Sequence, residues 1–403
     1  MSKKNNKKRN SQNKKIVLIV VAAIVVFSLL VVSVTAITNA INKKRRDKTV
    51  KVAFYGLSQE YCDALMERFP KEEGISLAFE VLSDGPLDLG FIKNKYDMIF
   101  TWKGEVTNAL EETAEELPGK ILEVIPSSLQ NKKCAPILLD NCEIAYNKEI
   151  VEKLGNSIPN NYPDFLNFLN DAKAYVFSPF FCSGADDRVI TAFIGNIIEV
   201  LGGVDSYNLF IDEIKKGTSF EDLLDVQLSK AGLSLRSVLD PLKSWPGQGY
   251  THPSWYNGTG SDLLYFAEEN HTAAFFTFLH EHRQIQYNTI SRYEAFLLPP
   301  ASSTIKYGII APAISVMVIS ENTNAKRYVL EFFTEDAQMG LSDITRLAPV
   351  HSRAQAVDRQ ADDVRYWAAA SPGGALPDVA LAAFQRNPAA LKEFAAKIRN
   401  YIK

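Results

Sequence analysis

The sequence predicts an α/β protein of two lobes preceded by one transmembrane helix, and three observations carry that prediction. Short apolar strands alternate with amphipathic helices from residue 50 onward, the order that builds a helix-covered, largely parallel sheet. Two extended pairs, the first within 134–146 and the second at 295–300 and 308–320, read as connections between compact units. Ahead of both stands a long apolar run over 16–37. The 403 residues, 46% hydrophobic and 23% charged, suffice for a full core and favour two domains over one. Disordered, collagen-like and disulfide-scaffold classes are excluded by the same composition.

Taken in order, residues 1–15 are a basic tail with seven Lys or Arg and no acid. The run 16–37 is broken only by Ser28, Ser33 and Thr35, and its 22 residues reach roughly 33 Å as a helix, enough to cross a bilayer core. Its length and the basic cluster Lys43–Arg46 favour a retained anchor over a cleaved signal, while small-residue pairs ending at Ala36 and Ala40 leave cleavage open. No Cys precedes Cys62, so a lipoprotein-type attachment has no acceptor. The heavier basic flank keeps the amino terminus in the cytoplasm and places the main domain on the periplasmic or extracellular side of the cell membrane. After a linker over 38–49 the charge reverses. Residues 1–48 hold twelve Lys or Arg against Asp47, a net +11, so the remainder carries −14 for the chain to total −3. An acidic body argues against a nucleic-acid partner.

Residues 50–55 alternate as a strand stopped by Gly56, and 60–69 follow as a helix ended by Pro70. Strands are expected at 76–82 and 96–102, and an acidic helix at 108–116 stopped by Pro118-Gly119. Ligands of such sheets lie beyond the carboxyl ends of the strands, which puts Ser58 and Trp102 at a binding edge. The stretch 242–262 gathers Trp245, Tyr250, Trp255 and Tyr256 among Gly, Pro and Ser, and reads either as aromatic surface for a ligand or as a loop capped by its own rings. Alanine-rich residues after 350 predict packed helices, with a break at Pro372-Gly373-Gly374.

Tyr146-Asn147-Lys148, Gly155, Pro159, Tyr162, Asp164 and Phe165, then His271–Phe275, Phe296–Pro299 and 319–352, occur in the order found in one family. Over about 50–355 the chain resembles the extracellular solute-binding proteins of ABC importers, the maltose-binding type. The resemblance implies a periplasmic-binding-protein-like (type II) fold with a hinge. One lobe would take 50–143 plus 307–346 and the other 147–303 plus 349–403. It also implies a sugar or oligosaccharide held between the lobes by hinge closure, ABC permease subunits as partners, and no catalysis, cofactor or metal. Phe180, in Ser178-Pro179-Phe180-Phe181, is similar to the residue that stacks on sugar, with Ser178 where relatives carry an acid. Leu279–Arg283 stands where many relatives have Gly-x-Trp, which brings Glu281 and Arg283 to the ligand and implies a more polar solute.

Three other readings fit parts of the sequence. A sensor or adaptor of the same fold would present solute to a signalling partner. His280-Glu281-His282, if extended, would turn two imidazoles to one side as a zinc site needs, with too few other histidines to complete it. Cys134 and Cys142 flank a reversal and could pair in an oxidising compartment.

Overall fold

Phe54 and Phe100 stack at 5.3 Å in the middle of a six-stranded sheet, and the first lobe is built outward from that contact. The computed structural model describes residues 48–403 apart from 156, 356 and 357, together with Ser28, Val32 and Ser33. The tail and the anchor expected over 16–37 lie outside the described residues save for those three, which are helical. Among the described residues one helix, Asp187–Lys215, is long and apolar enough to cross a membrane, and it is mostly buried inside the second lobe.

The strands are β1 (Thr49–Tyr55), β2 (Ser76–Leu82), β3 (Met98–Trp102), β4 (Ala135–Leu139), β5 (Cys142–Asn147), β6 (Ser178–Cys182), β7 (Thr272–Phe278), β8 (Tyr293–Phe296), β9 (Ile309–Ile310), β10 (Ala313–Val318), β11 (Ala348–Pro349) and β12 (Ala375–Leu376). Lobe 1 orders them β11-β4-β10-β3-β1-β2, with β2, β1 and β3 parallel as the strand–helix alternation predicts. β10 runs antiparallel between β3 and β4, because the chain enters it on its return from the other lobe. Lobe 2 orders β6-β7-β5-β8, with only β6 and β7 parallel. Its core is the helix Asp187–Lys215 packed on Phe180, Phe276 and the carboxyl-terminal helix Pro388–Ile402.

Three crossovers join the lobes: Asp140-Asn141, residues 297–312 and residues 371–378. The last two are zipped together where Ala375 and Leu376 pair in parallel with Ile309 and Ile310. The third coincides with the Pro372–Gly374 break. A Cβ on Gly373 would sit 2.2 Å from Val204 and 2.8 Å from the Gly308 nitrogen, so only glycine admits the two crossovers side by side.

Two expectations need correction. Lobe 1 does not end at 346: Leu347, Ala348, Val350, Ala361, Val364 and Ala368 share its core with Phe100 and Phe332, because β11 extends its sheet and the helix Arg359–Ala370 covers that edge. The helix expected over 108–116 spans Glu105–Leu110 instead, since the backbone of Glu115 and Leu117 bonds Val318 and Lys132.

Candidate functional site

The carboxyl ends of β1 and β3 in lobe 1 face the first crossover and the end of β7 in lobe 2. β3 terminates on Trp102, which is 6% exposed. Tyr61, on the buried side of the helix Gln59–Met66, meets the indole edge-on at 6.1 Å. Ser58 caps that helix, its hydroxyl accepting from the Tyr61 nitrogen at 3.3 Å.

From lobe 2, Arg188 reaches across. Its guanidinium lies 5.3 Å from the Trp102 ring centre and 4.5 Å from that of Phe278, so one aromatic ring of each lobe holds a face of the same cation. Arg188 pairs with the buried carboxylate of Asp378 at 2.8 Å. Asp140, wholly buried on the first crossover, accepts from the His280 backbone nitrogen at 3.2 Å and sits 2.8 Å from its ring Nδ1. Burial pushes the Asp140 carboxyl up, but His280 and Arg188 outweigh it and hold the group below the ordinary carboxylate value. Burial likewise pulls His280 down, while the Asp140 charge and hydrogen bond, with Glu281 nearby, keep the imidazole above its ordinary value.

The sign of the pH dependence follows. His280 contributes stability fully below its ordinary 6.5 and loses it as pH rises through the higher folded value. Asp140 contributes above its ordinary 3.8 and loses that as pH falls through its lower folded value. His280→Gln is therefore expected to cost most stability between those two values, with the gap to wild type closing toward alkaline pH. Denaturant titrations of both proteins across pH 4 to 9 check this, and a pH-independent gap would contradict it.

The carboxyl-terminal segment packs against one end of this interlobe contact. Gln385 donates to the Thr101 hydroxyl at 3.2 Å and to the Trp102 carbonyl at 2.9 Å, and accepts from the Val106 nitrogen at 2.9 Å. The Tyr55 hydroxyl donates to the Gln385 carbonyl, and Arg386 pairs with Glu105 at 2.6 Å. Gly104 is required here: a Cβ would stand 2.3 Å from the Leu381 carbonyl oxygen.

Several residues expected at the ligand lie elsewhere. Phe180, Trp245 and Trp255 are fully enclosed in the lobe 2 core, Phe180 meeting Phe165 at 6.0 Å and Trp245 at 5.5 Å. The segment around Trp245 is not a loop but the helix Leu235–Gln248, entered through a capping box at Ser234 and Ser237. Its apolar face is Leu235, Val238, Leu239, Leu242 and Trp245. Tyr250 is half-buried against Trp245, with Lys173 over its ring, and its carbonyl bonds Phe180 at the edge of β6. Tyr256 is half-buried against the same core. Arg283 points into lobe 1, where it pairs with Asp358 at 2.8 Å and donates to the Leu347 carbonyl. It ties the lobes together instead of facing a solute.

Glu281 accepts from the Phe278 nitrogen and the Thr277 hydroxyl, and with Ser183, Asp186 and Gln284 lines a cavity of about 500 Å³ on lobe 2. His280 and His282 lie on a short helix, not a strand, and turn to different carboxylates, Asp140 and Glu143. Cys134 and Cys142 are separate buried thiols. Tyr61, Asp140, Arg188, Asp378 and Gln385 were not singled out as ligand candidates from sequence. Applying the strand-end rule to the second sheet would have reached Arg188, six residues past the end of β6.

A scan of protein-family models and a search of curated proteins matched nothing. Solved structures do match. The binding protein MsmE of Bacillus subtilis, in an open conformation, aligns over 88% of this chain and 93% of its own at 13% identity and a TM-score of 0.68. The bacterial solute receptor AcbH, described as exclusive for β-D-galactopyranose, aligns over 88% and 97% at 12% identity and 0.65. RafE of Streptococcus pneumoniae, in its apo form, aligns over 88% and 96% at 13% identity and 0.62. With two α/β sheets joined by three crossovers, this chain has the fold of the bacterial solute-binding proteins.

Proposed function

We propose that the protein is the membrane-tethered, extracytoplasmic solute-binding component of an ABC importer, and that it takes a sugar or oligosaccharide between its lobes. The observation that carries the reading is the pairing of Trp102 and Tyr61 on one lobe with Arg188 and His280 on the other, above the buried carboxylates Asp140 and Asp378. A pyranose has apolar C–H faces and a rim of hydroxyls, so it needs a flat ring and a few oriented polar groups. Separating the lobes lifts Arg188 from the indole. Closure on a sugar then lays the ring on Trp102 and turns Arg188, His280 and Asp140 to its hydroxyls. Only the closed arrangement makes both sets of contacts, so ligand favours it by differential binding. The like-folded AcbH, described as taking a galactopyranose, supports the carbohydrate class. The apolar run over 16–37 would hold the protein at the membrane beside its permease.

Calorimetric titration of the full-length protein against galactose and galacto-, xylo- and chito-oligosaccharides is expected to find one binder. Trp102→Ala should weaken it by about tenfold or more, the worth of a buried aromatic contact. Failure of every sugar, or an unchanged affinity in Trp102→Ala, would overturn the reading.

A further inference from the structure

The helix Asp187–Lys215 carries a second polar feature that the cleft does not use. Glu199 lies eleven residues past Arg188, about 16 Å along the axis, and is 1% exposed. One of its oxygens accepts from the Gly308 nitrogen on the second crossover. The carboxyl also lines a cavity of about 290 Å³ walled by Phe296 at the end of β8, by Leu298 and Tyr307 of that crossover and by Trp367 of lobe 1. Asn196, one turn earlier and 5% exposed, lines it as well. An ionised carboxylate is strongly disfavoured in such surroundings, and one backbone donor offsets little of that.

We propose that this hinge cavity is a second binding site, for a small organic ammonium cation carrying an apolar body. Glu199 would take the ammonium and Asn196 would accept a further N–H. The faces of Phe296, Tyr307 and Trp367 would surround the cation and its carbon frame. An anion would meet the Glu199 carboxyl without a cationic partner. A hard metal ion needs six or more oxygens, against the two side chains present. The site is separate from the cleft and does not depend on the carbohydrate reading.

Glu199 also makes the event measurable. Burial pushes its carboxyl up to about 8, against a smaller opposing pull from the Gly308 hydrogen bond. The titratable neighbours are Tyr307 in the cavity wall and Tyr207 on the same helix, and among the described residues no other acid or base lines the cavity. At pH 7 roughly nine in ten Glu199 side chains are then neutral, so taking up a cation releases close to one proton. Affinity should rise roughly 50-fold between pH 6 and pH 8 and level off above.

The test is calorimetry of the full-length protein with phenethylammonium, in two buffers of different ionisation enthalpy. Saturable binding with buffer-dependent heat at pH 7, lost by at least tenfold in Glu199→Gln and kept in Trp102→Ala, is the expected result. No saturable heat at millimolar probe, buffer-independent heat in the wild type, or equal binding by a folded Glu199→Gln would each overturn the proposal. The wild-type buffer comparison stands even if the variant fails to fold.

Discussion

Arg188→Ala is expected to be among the most damaging single substitutions in the molecule, although the residue sits between the lobes and not in a core. It leaves Asp378 and Asp140, both with 0% exposed side chains, without the cation they share. Removing one partner of a buried ion pair costs about 3–5 kcal/mol, because the remaining charge stays desolvated. Arg188 is itself 27% exposed at its side chain, so the lower end of that range applies. The same change strips the cover from Trp102 and Phe278 and removes a tie between the lobes. Denaturant unfolding should report the stability loss, and fluorescence should show Trp102 opened to quencher. Arg188→Lys should recover only part of the loss, since an ammonium keeps the charge but cannot lie flat between two rings. An unchanged unfolding midpoint in Arg188→Ala would show that the two carboxylates do not depend on it.

Trp245→Ala should be comparably destabilising by a different route, about 3–5 kcal/mol through a cavity in the lobe 2 core. Trp245 is 2% exposed and packs against Phe180, Phe193, Tyr250 and Trp255 at 5.5 to 6.4 Å. These rings belong to one cluster, so the losses in a Trp245→Ala, Phe180→Ala double variant should not add. Where the variant is still folded its affinity for solute should equal that of wild type, in contrast to Trp102→Ala. A selective loss of affinity with unchanged stability would return Trp245 to the cleft.

The contrast between these two tryptophans shows how far the sequence could be read. Trp102 ends an apolar strand, and strand ends in an α/β sheet point at the ligand edge, so its position followed from local pattern alone. Trp245 was obscured because Pro241 and Pro246 sit inside its helix and Gly247 and Gly249 follow, a composition that normally marks a loop. The helix survives because its five buried side chains pay for the interruptions. Strands β1, β2 and β3 were legible from alternation and stop residues. The reach of lobe 1 to residue 370 was not, since β11 is two residues long and too short to carry a period. Arg188, Asp140 and Asp378 were missed for a common reason. They come together only when residues nearly two hundred apart in sequence are folded against each other, and no local spacing encodes that meeting.

The strand order of lobe 1 bears on how the chain is made. β10 fills the slot between β3 and β4, yet it is synthesised only after the whole sheet of lobe 2. As the polypeptide is made from its amino end, the first lobe must wait with two bare strand margins until residue 318 has emerged. Bare margins of that kind recruit stray strands, so the nascent protein is most vulnerable to aggregation, and most in need of a chaperone, while its second lobe is being made.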